Sequence, residues 1–534
     1  MTVGQKIVKL RTSKGLSQEE LAESLGVSRQ SVSKWEIDQT LPQIEKIILM
    51  AKKFGVTTDE LLIDCMDIPE RSSSLSVGKY FGTDGFRGEA GSTLTSMHAY
   101  KVGRFLGWYY SKKTSGTRAR IVIGKDTRRS SYMLEYSISA GITASGADVY
   151  LLHVTTTPSV SYVTRQEEFD CGIMITASHN PYYDNGIKIL NRYGEKLEDS
   201  VTSLIEAYLD GNLALIGIDG DDIPLARRDK IGLISDHVAG RNRYIGYLIS
   251  LASSSYKHLK IGLDCACGAS FNIASSVFGA LGAQLYVIGA DPDGLNINRE
   301  CGSTHIENLA HLVREKHLDV GFAFDGDADR CIAVDENGKV IDGDAIMYIL
   351  ANRLKKRGML ARDTVVATVM SNSGFVKSLE AIGISCIETT VGDRFVYECM
   401  QKNGYSLGGE QSGHIIIKKY ATTGDGILTA IMLAEEMCDT KASISSLSEK
   451  VTLYPQYTKN VRVKNKSAVI SDEKVIKAAK GVEEKIGGKG RVLLRESGTE
   501  PLVRIMIECE EQNACISYAN EIALAIENGG HLLD

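Results

Sequence analysis

Residues 171–181 read CGIMITASHNP, a short apolar run that ends abruptly in threonine, serine, histidine, asparagine and proline. An apolar run of that length, bounded by turn-forming residues, predicts a strand buried on both faces, and such strands belong to sheets covered by helices. The polar residues then begin at the strand's carboxyl end, where open α/β sheets place their ligands. The same alternation continues outward. Upstream lie IVIG (121–124), a helical stretch around Met133 to Ala144, and VYLL; downstream lie KIGLD (260–264), LYVI, TVVATVM (364–370) and ISCIE. This repetition predicts three parallel α/β units, at 78–235, 236–338 and 339–450. From 451 to 534 the order becomes strand, helix, two strands and a closing helix, which predicts a separate α+β domain.

The amino-terminal stretch, 1–64, has a different pattern. Ser17 and Glu20 have capping-box spacing, Gly26 supplies a turn, and Ser28 caps a second helix whose Val32 and Trp35 face inward. Arg29, Gln30, Ser33 and Lys34 are left outward, as a recognition helix requires. Arginine and glutamine there can pair with guanine and adenine edges, the nearby Lys34, Ser33 and Ser28 suit phosphates, and Gln18 completes the candidate DNA-binding set. Residues 1–64 carry nine basic and nine acidic groups, yet 1–34 hold six basic against three acidic. That gradient favours a DNA-binding domain over a bundle used only to form a homodimer. Between the two regions, the serine-rich 65–77 predicts a linker.

With 534 residues, 43% hydrophobic and 24% charged, the chain has the composition of a multidomain globular protein. A net charge of −6 excludes any whole-molecule attraction to nucleic acid. No apolar run is long enough to span a membrane, and the start lacks a signal-peptide core, so the expected address is the cytoplasm and no membrane partner is expected. The eleven cysteines are an odd number without metal-site spacing, and are expected as reduced thiols.

Four polar loops carry chemistry. In TASHNP, Ser178 and His179 offer a hydroxyl beside an imidazole, but the loop lacks the flanking glycines of a serine-hydrolase elbow. DGDADR (325–330) sets Asp325, Asp327 and Asp329 at alternate positions between two strands. Three converging carboxylates repel unless a cation neutralises them, and hard oxygen ligands select Mg²⁺ or Ca²⁺. An EF-hand is excluded by Arg330 at the position that needs glycine and by the flanking strands. GEQSGH (409–414) offers Glu410, Ser412 and His414, a mixture suited to sugar hydroxyls. RESGTEPLVR (495–504) brings Arg495, Ser497, Gly498, Thr499 and Arg504 to a hairpin tip, as a phosphate cradle would. FGTDGFRG (81–88) has the wrong spacing for a dinucleotide fingerprint, and its useful group is Arg87.

Together these loops resemble the α-D-phosphohexomutase superfamily from Gly78 to the carboxyl terminus, and the head resembles the Cro/repressor-like (XRE-type) helix-turn-helix family. Within the superfamily GEQSGH, VGDRFVYE (391–398), NINRECGSTH (296–305) and TTGDGILTA (422–430) look most like the phosphoglucosamine mutases. The resemblance implies a mutase that moves phosphate between the 6- and 1-positions of a hexose, glucosamine first, with phosphomannomutase or phosphoglucomutase activity as the alternative. It implies a phosphorylated Ser178, a bisphosphorylated hexose as intermediate and activator, and Mg²⁺ on Ser178, Asp325, Asp327 and Asp329. Lys188 and His179 would share proton transfer, Arg87 and Arg330 would support the moving phosphoryl group, and Glu410, Ser412, His414 and Asp393 would face the sugar. The phosphate at rest would lie on Arg495, Ser497, Gly498, Thr499 and Arg504. Two departures stand out: Glu496 occupies a position where the family carries proline, and the head is an addition, which leaves a sugar-phosphate-sensing regulator as a further reading.

Overall fold

A computed structural model describes residues 3–14, 16–54, 78–82, 84–114, 117–497 and 501–533. The chain separates into two units, 1–76 and 77–534. The expected linker 65–77 lies outside the described residues, as do Gly498 and Thr499.

The first unit contains helices α1 (Val3–Ser13), α2 (Gln18–Leu25), α3 (Arg29–Glu36) and α4 (Ile44–Phe54). Ser17 and Glu20 form a reciprocal capping box on α2, and Gly26 ends that helix at φ 64°, which a side chain would resist. Ser28 caps α3 by accepting from the Ser31 amide. Ile7, Leu21, Leu25, Val32, Trp35 and Met50 make the core, so the apolar stripe of α3 is spent inward. Arg29, Gln30 and Lys34 are exposed and Ser33 is half-buried. Gln18 is turned onto Glu36, its amide donating at 2.6 Å, and Arg11 bonds the same carboxylate at 2.6 Å. A buried carboxylate needs such donors, which commits part of the Gln18 amide to the fold.

In the second unit the first sheet has seven strands, ordered 81–82, 85–89, 184–191, 171–175, 120–125, 148–154 and 234–236. It corrects the expectation of a purely parallel sheet. Strand 120–125 pairs in parallel with 148–154 and 171–175, but 171–175 pairs antiparallel with 184–191. The TASHNP connection is too short for a helical crossover, so the chain must return beside the strand it left. FGTDGFRG is likewise a hairpin, Phe81–Gly82 against Gly85–Glu89.

The second sheet has five strands, with 260–264 parallel to 284–288 and 320–324, and DGDADR turning 320–324 back onto 331–335. The third has four, centred on 364–368. The tail sheet is antiparallel, with 502–508 between 456–462 and 491–496. Helix Glu473–Ile486 starts at the cap residue Asp472. The first sheet keeps its own core around Phe105, Ile121 and Ile173. The second and third share one continuous apolar core through Leu263, Phe322, Ile346, Val365 and Ile427, which fixes DGDADR against GEQSGH.

Candidate active site

The strand 171–175 is buried along its whole length and delivers Ser178 to the sheet's edge. Ser178 adopts φ 53°, the left-handed region that costs a non-glycine residue energy. The conformation is held from three sides. Its amide donates to Thr176 Oγ1 at 2.9 Å, and its carbonyl accepts from Asn298 Nδ2 at 2.8 Å and Arg128 at 3.2 Å. Gly326 packs on that carbonyl so closely that a Cβ there would lie 2.5 Å from it, so DGDADR and TASHNP meet through a glycine. Ala328 is also left-handed, at φ 55°.

The Ser178 hydroxyl donates to Asp325 Oδ2 at 2.5 Å, and His179 Nδ1 stands 3.4 Å from Ser178 Oγ. Asp325, Asp327 and Asp329 are buried and offer one oxygen each within 4.8 Å of one another. Asp327 Oδ2 accepts from Thr157 Oγ1 at 2.5 Å and from Lys188 Nζ at 2.9 Å, and Lys188 also donates to Asp329 at 3.1 Å. Asp327 Oδ1 and Asp329 Oδ1 are buried without a hydrogen-bond partner. Orphaned carboxylate oxygens cost free energy in a protein interior, and an all-oxygen set aimed at one point suits a hard divalent cation. The residues therefore fit a metal.

Burial and the two neighbouring carboxylates push the Asp325 carboxyl well above its ordinary range. Burial opposes the charge on Lys188, but Asp327, Asp329 and Asp84 outweigh it and hold the ammonium protonated. Burial, aided by Arg330 and Arg87, pushes His179 down to about 4. Arg87 reaches into the loop through Ala177 O at 3.4 Å and Asn180 Oδ1 at 3.3 Å and pairs with Asp84. The Arg330 amide donates to Asp325 Oδ1 at 3.2 Å, and its backbone bridges to His414.

GEQSGH thus enters beside DGDADR. His414 is buried, its Nδ1 3.7 Å from Asp329 and its Nε2 3.6 Å from Asp393, while the Gly424 amide donates to Nε2 at 3.0 Å. Glu410 accepts from the Gly392 amide at 3.2 Å, and Ser412 Oγ donates to it at 3.5 Å. Asp393 opens the helix 393–403 and bonds Lys196 at 2.7 Å.

On the tail sheet Arg495 and Arg504 are cross-strand partners. Burial and the Arg504 charge lower the Arg495 guanidinium from its usual range, the signature of a place that favours an anion. Ser497 is buried beside them. Side chains alternate along a strand, so Glu496 points to the other face, where it accepts from Ser467 Oγ at 2.8 Å. Its carboxylate is thereby turned away from Arg495 and Arg504.

Sequence reading did not single out Asp84, Thr157, Asn298 or Lys196. All are drawn in by contacts more than 100 residues away in the chain, which no local pattern signals.

Family models described as phosphoglucomutase/phosphomannomutase alpha/beta/alpha domains I, II and III match residues 78–214, 242–338 and 342–454, and the C-terminal domain of that family matches 459–525. A helix-turn-helix model matches 7–61. The phosphoglucosamine mutase of Lachnospira eligens is 57% identical over 455 residues, covering 85% of this chain and 100% of that protein. That of Oceanobacillus iheyensis is 47% identical over 451 residues, 84% of this chain and 99% of its own. Among solved structures, a phosphoglucomutase/phosphomannomutase family protein from Burkholderia thailandensis aligns with TM-score 0.69 at 23% identity, covering 86% of this chain and 98% of that one. The N-acetylphosphoglucosamine mutase of Aspergillus fumigatus, in complex with GlcNAc-6P and magnesium, aligns with TM-score 0.60 at 18% identity, covering 85% and 96%. With four consecutive domains matched and close relatives covered end to end, the chain belongs to the phosphoglucomutase/phosphomannomutase family and is a phosphohexomutase, an isomerase, with a helix-turn-helix domain at its amino terminus.

Proposed function

We propose that this chain interconverts glucosamine 6-phosphate and glucosamine 1-phosphate through a phosphorylated Ser178. The observation that carries the proposal is the Ser178 hydroxyl seated on Asp325, at the edge of three buried carboxylates, two of which keep an oxygen without a hydrogen bond. The choice of glucosamine rests on the relatives' names and on VGDRFVYE and GEQSGH.

Arg495, Arg504 and Ser497, with Gly498 and Thr499, grip the phosphate that is not reacting, and Glu410, Ser412 and Asp393 orient the sugar. The free sugar hydroxyl attacks the phosphorus on Ser178. A new P–O bond forms, the bond to Oγ breaks with its electron pair left on Oγ, the attacking hydroxyl's proton passes to the neutral His179 imidazole, and the Lys188 ammonium supplies the proton or counter-charge that Oγ needs. The bisphosphorylated hexose then turns over, and Ser178 takes back the phosphoryl group from the other end by the reverse exchange. A bisphosphorylated hexose added in trace amounts charges the resting serine. Asp325, Asp327, Asp329 and a phosphoserine oxygen would hold Mg²⁺, which when bound neutralises charge on the transferring group. Arg87 and Arg330 flank the same group. A grip built from guanidinium groups and amides accepts either phosphate, as the turn requires.

Phosphorus NMR of glucosamine 6-phosphate with the enzyme, Mg²⁺ and a trace of glucose 1,6-bisphosphate should show the anomeric phosphate growing in. Equal turnover of glucose 6-phosphate would remove the glucosamine assignment, and no turnover would leave a sugar-phosphate sensor. Arg495→Ala should raise KM for either hexose phosphate roughly tenfold or more while leaving Ser178 able to carry phosphate, because one charge-assisted pair to a dianion is lost.

For the head, the exposed Arg29, Gln30 and Lys34 on α3 support DNA binding. Gel shifts should weaken steeply as salt rises, and Arg29→Ala with Gln30→Ala should lose sequence preference. Binding that is absent or flat with salt would leave the head as a homodimerisation device. Among the described residues no helix is long and apolar enough to cross a membrane. The ten described cysteines carry free thiols, which suits a reducing cytoplasm.

A further inference from the structure

A ring of alternating basic and acidic side chains from all three α/β domains lies beside the serine loop. Lys188 lies 3.3 Å from Asp84, Asp84 lies 3.1 Å from Lys196, and Lys196 lies 2.7 Å from Asp393. Asp393 stands 3.6 Å from His414, His414 stands 3.7 Å from Asp329, and Asp329 returns to Lys188 at 3.1 Å. The proposed chemistry gives tasks to Lys188, Asp393 and Asp329, and none to His414, Asp84 or Lys196.

Lys196 belongs to the segment 194–199, which is the first domain's docking strip on the third. Within it Glu195 accepts from Tyr397 Oη at 2.6 Å, Asp199 pairs with Arg394 at 2.6 Å, and Gly194 O accepts from Thr422 Oγ1 at 3.1 Å. These neighbours hold the domains together, but Lys196 alone in the strip reaches the ring. Its one ammonium is shared by Asp84, which pairs with Arg87 and Lys188, and by Asp393, which opens the helix after the VGD turn. Burial opposes charge on both carboxylates, and the neighbouring cations hold them ionised. Without Lys196, Asp84 would keep Arg87 and Lys188, and Asp393 would keep His414, but the two carboxylates from different domains would lose the one cation they share.

We propose that Lys196 is a positioning residue for phosphoryl transfer: by holding Asp84 and Asp393 on one ammonium it fixes the sugar-binding domain against the Arg87 and Lys188 side of the serine loop. The inference rests on the phosphoserine reading of the site.

The test compares full-length wild type with Lys196→Met, Lys196→Arg and Tyr397→Phe, measuring kcat, KM and inorganic phosphate released per turnover with glucosamine 6-phosphate and Mg²⁺. Lys196→Met should lose about 100-fold in kcat, as misplaced reacting groups do, with KM changed by less than about threefold because the Arg495 and Arg504 grip is untouched. Phosphate release per turnover should rise, since a gap between the domains admits water to the phosphoserine. Lys196→Arg should recover most of kcat, because a guanidinium can fork two carboxylates. Tyr397→Phe, which cuts the same docking strip outside the ring, should keep wild-type kcat. The inference is overturned by wild-type kcat in Lys196→Met, by a loss confined to KM, by no recovery in Lys196→Arg, or by an equal loss in Tyr397→Phe. An inactive wild type would overturn the site reading together with the inference, whereas an active wild type beside an unaffected Lys196→Met would overturn the inference alone.

Discussion

Ser178→Ala is expected to lower mutase turnover by more than about 10⁴-fold, because in this account no other oxygen can hold the phosphoryl group between its two sugar positions. The loss should fall on kcat. Arg495, Arg504, Glu410 and Ser412 remain, so glucosamine 6-phosphate should still bind, measurable by calorimetry. The fold should tolerate the change. Alanine meets the same left-handed backbone as serine, and the lost hydrogen bond to Asp325 costs no more than about 2 kcal/mol. A Ser178→Ala protein that still converts the sugar would place the nucleophile elsewhere.

Asp327→Asn is expected to cost at least about 10³-fold in turnover and to remove divalent-cation binding. Asp327 is completely buried, its Oδ2 already serves Thr157 and Lys188, and its Oδ1 has no hydrogen-bond partner. An amide there takes away one negative charge and can turn an N–H toward the cation, and a site with hard oxygen ligands tolerates neither. The readout need not depend on activity. A ligand that binds only the folded state raises the melting temperature by mass action, so millimolar Mg²⁺ should stabilise the wild type and leave Asp327→Asn unmoved. Equal stabilisation of both proteins would move the metal away from DGDADR.

Much of this site was legible because each loop carries its chemistry within a few consecutive residues. CGIMI had to be a buried strand, TASHNP had to sit at its carboxyl end, and three aspartates at alternate positions had to share a cation or repel. Helix α3 was legible for a similar reason, since Val32 and Trp35 spend its apolar stripe inward and leave Arg29, Gln30 and Lys34 outside. Strand direction was harder to read. A strand buried on both faces looks the same in sequence whether its neighbour runs parallel or antiparallel, and the short return through TASHNP decided it. The side of a strand on which Glu496 lies follows from alternation only once the register with 502–508 is known. Asp84 and Lys196 were illegible for a different reason. Their partners come from Lys188, Asp393 and one another, and a charge acquires meaning at such a place only when the fold has brought those segments together.

The proposed cycle requires one serine oxygen to lend a phosphoryl group and take it back. The most direct measurement is to charge the protein with ³²P-labelled glucose 1,6-bisphosphate, map the labelled peptide, and chase with unlabelled glucosamine 6-phosphate. The account predicts label on Ser178 alone, transferred to the sugar at a rate no slower than turnover. Label on any other residue, or label on Ser178 that leaves more slowly than product forms, would contradict it.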